Sequence, residues 1–119
     1  MAHQRVQRVA EQMKKEIADI LKNEMKDPRL GFISVTEVEL SPDLRYAKVY
    51  VSILGNEQEK RESLEVLARA TGFVRREIGQ RLSLRFTPEI TFRFDPSIER
   101  GARVAELLHQ VRREEGNNG

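Results

Sequence analysis

Between Tyr46 and Ile53 the side chains alternate without a break: Ala47, Val49, Val51 and Ile53 point one way, and Tyr46, Lys48, Tyr50 and Ser52 the other. A period of two belongs to a β-strand with one dry and one wet face. The segment, read as a strand from Arg45 to Leu54, therefore demands a neighbouring strand and a layer over its apolar side. Phe32 to Leu40 supplies the neighbour, and the intervening Ser41-Pro42-Asp43-Leu44 has the turn chemistry of an antiparallel connection. In this first strand the apolar parity changes from Ile33 and Val35 to Val38 and Leu40, which predicts a β-bulge around Thr36.

Helices are the natural covering layer. Val6, Val9, Ala10, Met13, Ile17, Ile20 and Leu21 keep helical spacing, with Glu11, Lys15 and Asp19 four residues apart on the outer face. Pro28 forces Asp27 out of helical geometry, and Gly31 completes a turn. After Gly55-Asn56 a further helix puts Leu64, Leu67, Ala68 and Thr71 on one face. The pattern resumes beyond Gly72 with Val74, Ile78 and Leu82. Pro88 precedes a third alternating strand with Ile90, Phe92 and Phe94 on its apolar side; Asp95 and Pro96 can then open a last helix carrying Ile98, Ala102, Ala105 and Leu108 inward. The expected order is helix, strand, strand, helix, bent helix, strand, helix. That is an α+β chain with helices on one face of a three-stranded sheet.

With 119 residues, one core is expected, as a single domain over 1–113 with a disordered tail over 114–119. The 34% charged and 39% hydrophobic composition is that of a soluble globular chain. Cysteine is absent, which excludes disulfides and thiolate chemistry; no segment reads as a secretory signal or a membrane span, so a cytoplasmic protein without membrane contact is expected.

Charge is unevenly spread. Five arginines, Arg69, Arg75, Arg76, Arg81 and Arg85, face one acid, Glu77, between Leu67 and Arg85, although the whole chain carries only +2. Positive charge gathered on one surface is what attracts phosphate. Inside the run lies Ala70-Thr71-Gly72. The glycine costs a helix about 1 kcal/mol relative to alanine, and it leaves room for another backbone to approach. The combination reads as a bent, arginine-studded helix pair for holding RNA.

The element order, apart from its last helix, resembles a type II K-homology domain, an RNA-binding arrangement in which a strand hairpin is followed by two helices and a third strand. Such domains place a Gly-x-x-Gly loop between the two helices; here Ala70-Thr71-Gly72 stands instead. Arg5-Val6, Asp27-Pro28-Arg29-Leu30-Gly31-Phe32, Ser41-Pro42-Asp43-Leu44 with Ala47-Lys48-Val49-Tyr50-Val51-Ser52, Gly72-Phe73-Val74-Arg75, Thr87-Pro88-Glu89 and Phe94-Asp95-Pro96-Ser97-Ile98 together resemble the ribosome-binding factor A family. The resemblance implies a bacterial cytoplasmic assembly factor, monomeric and without cofactor. It would bind the free small ribosomal subunit and its rRNA, assist late maturation and rRNA processing, and serve growth in the cold. The family's Ala-x-Gly kink falls on Ala70, Thr71 and Gly72, with Arg75 and Arg76 on the helix after the bend. The RNA-binding set expected is Arg69, Ala70, Thr71, Gly72, Arg75, Arg76, Arg81 and Arg85, with Arg29 and Lys48 as secondary contacts.

Other readings compete with this one. The arginines also suit ordinary helix solubility, and Arg81 lies near the apolar stripe, where its stem can cover core. Gly72 also suits a helix cap or a close-packing contact. Tyr46, Tyr50 and Phe32 could stack on bases, but strand aromatics more often pack on their neighbours. A basic module docking an acidic protein is the alternative function. Catalysis is not expected: Glu37 and Glu39 share a strand face without a histidine or nucleophile beside them, and His3 and His109 lack metal-ligand spacing.

Overall fold

The computed structural model describes residues 2–25 and 32–95. The turn at 27–31 with Arg29, the helix expected after Asp95 and the tail over 114–119 lie outside the described residues.

Helix α1 spans Ala2–Asp19 and continues into a π-helical turn, Ile20–Glu24, in which the Met25 N–H donates to the Ile20 carbonyl at 3.1 Å. Ala10, Met13, Ile17, Ile20 and Leu21 are buried, so the expected apolar stripe is the one that packs. The wide turn was not foreseen. Strands β1 (Phe32–Leu40) and β2 (Tyr46–Leu54) pair antiparallel, and the register slips between Val35 and Glu37. This is the bulge expected at Thr36, whose hydroxyl donates to Asp95 Oδ2 at 2.6 Å. At the hairpin turn, Ser41 Oγ accepts from the N–H groups of Arg45 and Tyr46 and donates to Asp43.

Strand β3 (Glu89–Phe94) runs parallel to β2, with Tyr46 opposite Glu89 and Val51 opposite Phe94, giving a mixed three-stranded sheet in the order β1-β2-β3. A parallel neighbour requires a crossover. It is made by α2 (Glu57–Arg69) and α3 (Thr71–Leu82). Ala47, Val49, Val51, Ile53, Ile90 and Phe92 face Met13, Ile17, Leu67, Val74 and Ile78 in one continuous apolar cluster. The opposite face, with Lys48, Thr91 and Arg93, is exposed. Asn56 and Glu59 form a reciprocal capping box at the start of α2. The buried face of α2 is Ser63, Val66 and Leu67, whereas Ala68, expected inward, is exposed.

Candidate nucleic-acid interface

The bend between α2 and α3 is centred on Ala70, which has φ −85° and ψ 0° and belongs to neither helix. It is held from both sides. The Ala70 N–H donates to the Val66 and Leu67 carbonyls, its carbonyl accepts from the Val74 N–H at 3.0 Å, and the Thr71 hydroxyl bonds back to the carbonyls of Ala68 and Leu67. This geometry is open to any L-residue. Gly72 therefore does not make the bend: it lies in the first turn of α3, where an added Cβ would meet nothing within 4 Å. Within α3 it is Gly79 that packs closely: its added Cβ would stand 2.7 Å from Thr87 Oγ1.

The bend and the loop after α3 present the cluster's cations differently. Arg69, Arg76 and Arg85 are exposed. Arg75 is half-buried; its Nε and Nη2 donate to the carbonyls of Pro88 and Thr87 at 3.0 and 3.2 Å, tying α3 to the chain that leads into β3. Arg81 turns inward to the end of α1, donating to Glu16 Oε2 at 2.9 Å and Asp19 Oδ2 at 2.7 Å, with Glu24 and Glu77 also within 4 Å. The side chain is 22% exposed. Those hydrogen bonds hold the Asp19 carboxyl below its ordinary range, Arg81 acting first and Asn23 second, and they push the Arg81 guanidinium higher still. Arg81, expected on RNA, is thus already occupied by acids. Asp19, expected to serve its own helix face, joins two helices. Lys48 sits on the open face of the sheet, away from the bend, with Glu39 and Thr91 as cross-strand neighbours.

Parallel pairing brings a second group to the end of the sheet. The Glu89 N–H donates to the Arg45 carbonyl at 2.8 Å, so the hairpin turn lies against the α3–β3 loop. A cavity of about 390 Å³ opens there, lined by Arg45, Tyr46, Arg75, Phe86, Thr87 and Glu89. The Arg85 guanidinium lies 5.6 Å from the centre of the Phe86 ring. Sequence reasoning passed over Arg45 and Phe86, because only the pairing of β2 with β3 makes them neighbours.

A mixed three-stranded sheet with helices on one face and a bent helix pair in its crossover defines a type II K-homology-like α+β fold, as the sequence led us to expect. Residues 5–108 match the ribosome-binding factor A family, and the chain belongs to it. Ribosome-binding factor A of Moorella thermoacetica is 64% identical over 110 residues, covering 91% of this chain and 90% of its own. That of Halothermothrix orenii is 56% identical over 115 residues, covering 97% and 94%. Among solved structures, a Thermotoga maritima protein determined by solution NMR superposes with a TM-score of 0.68 at 42% identity, covering 75% of this chain and 85% of its own. A homology model of the Thermus thermophilus ribosome binding factor A, fitted into the cryo-EM map of its complex with the 30S subunit, superposes with a TM-score of 0.60 at 29% identity, covering 70% and 87%.

Proposed function

We propose that this protein binds the free small ribosomal subunit through its rRNA and assists late maturation and rRNA processing in the cytoplasm, as a monomer and by binding alone. The observation that carries the reading is the match to the ribosome-binding factor A family over residues 5–108, in a chain that holds Arg69 beside the bend, Arg76 on α3 and Arg85 in the loop after it, all in solvent. The 30S complex of the Thermus thermophilus relative supports the same partner here.

Exposed guanidinium groups along and after the bent helix pair suit phosphates of folded RNA, and Ala70-Thr71-Gly72 in place of a Gly-x-x-Gly loop between the two helices favours shape over base sequence as what is recognised. Such a ligand shifts an rRNA equilibrium only by its differential affinity for the two conformations, so immature or vacant subunits are preferred to translating ribosomes. Sedimentation of a cell extract tests this. The factor is expected to travel with free small subunits, and recovery only among free proteins at low salt contradicts it. Purified protein incubated with precursor rRNA is expected to leave it uncut.

A further inference from the structure

The cavity at the end of the sheet is bounded by two aromatic rings that folding leaves in water: Phe86 is 75% exposed and Tyr46 58%. Either alone would be ordinary surface. Together they border one cavity with Arg45, Arg75 and Glu89, while Arg85 lies over Phe86 and Asp43 stands 4.0 Å from Arg45, so three cations in and beside the cavity outnumber two carboxylates. A second cavity of about 300 Å³, lined in part by Arg5, Asp43, Arg45, Arg85 and Phe86, adjoins the first and shares Arg45 and Phe86 with it. Aromatic faces beside a basic track are the chemistry that takes unpaired nucleotides, with rings stacking on bases and guanidinium groups meeting phosphates.

We infer that the cavity between Tyr46 and Phe86 receives one unpaired nucleobase of the bound rRNA, while Arg45 and Arg85 meet the adjoining phosphates. This rests on the proposed subunit binding and adds a specific contact to it. The volume is that of a small-ligand site, and folded RNA offers bases of this kind at loops, bulges and strand ends. The paired rings, rather than the charge, set this occupant apart from an acidic protein helix, which would gain the charges but leave both rings without a planar partner. Arg75 is a positioning residue: its bonds to the carbonyls of Thr87 and Pro88 hold the loop that carries Phe86.

The test is equilibrium binding of the full chain to vacant small subunits, comparing the unaltered protein with Phe86→Ala, Tyr46→Ala and Phe86→Trp. Each alanine variant is expected to raise Kd about five- to fiftyfold, with an unchanged melting midpoint and an unchanged salt dependence, because no charge is removed. Phe86→Trp keeps a stacking face and is expected to bind within about twofold of the unaltered protein. A photoreactive benzoylphenylalanine in place of Phe86 is expected to crosslink to rRNA. Unaltered affinity in both alanine variants, or a crosslink only to ribosomal protein, overturns the stacking site and leaves subunit binding standing. Failure of the unaltered protein to bind overturns both.

Discussion

Arg81 Nη1 donates to Asp19 Oδ2 at 2.7 Å, joining two helices whose contacting residues are 62 positions apart in the chain. One of the five clustered arginines is therefore part of the framework that aims the others. Replacing Arg81 with methionine keeps most of the stem's packing but strands Glu16 and Asp19 next to one another, and it is expected to lower the melting midpoint by a few degrees. Because Asp19 has its carboxyl lowered from an ordinary value of 3.8 in the folded state, its contribution is complete above that pH. It fades as acid protonates the folded carboxylate below it. Thermal melts between pH 6 and 2 check the sign: the unaltered protein loses stability below about pH 4, and Asp19→Asn shows a shallower loss.

Arg75 and Arg76 are adjacent in sequence and differ in what they touch. Arg76→Glu is expected to change stability by less than about 0.5 kcal/mol while weakening subunit binding. Arg75→Glu removes two charged hydrogen bonds to backbone carbonyls, with an expected cost of about 1–3 kcal/mol. Urea melts separate the two. Equal stability would remove Arg75 from the framework.

The glycines make an opposite pair. An added Cβ at Gly72 meets open space, so Gly72→Ala is expected to be neutral or stabilising by up to about 1 kcal/mol. At Gly79 the same change drives into Thr87 Oγ1 and is expected to cost about 1–2 kcal/mol. Thr87→Ala in the same chain removes the colliding oxygen and should recover most of it. A double-mutant cycle measures that coupling.

How much of this was legible in the sequence follows from the range of each interaction. Alternation in β2, the helical stripe of α1 and the parity switch at Thr36 are local, and each element formed where its pattern said. The bend falls within the expected Ala70-Thr71-Gly72, but at its alanine and not its glycine. Glycine is the conspicuous break signal, but a bend at φ −85° and ψ 0° asks for no glycine, and Ala70 serves. The role of Arg81 and the meeting of Arg45 with Phe86 depend on which helix and which strand become neighbours. No periodicity encodes that, so a run of five arginines read as one surface divides into an ion-pair network, a loop anchor and an exposed set.

The exposed set carries the central claim, and the salt dependence of small-subunit binding tests it most directly. With about four phosphates engaged, the slope of log affinity against log salt is expected near −3 to −4. Changing Arg69, Arg76 and Arg85 together to glutamine should make it shallower by about 2 to 3 without altering the melting midpoint. A triple variant that retains the full slope, or an unaltered protein whose binding ignores salt, would contradict the account.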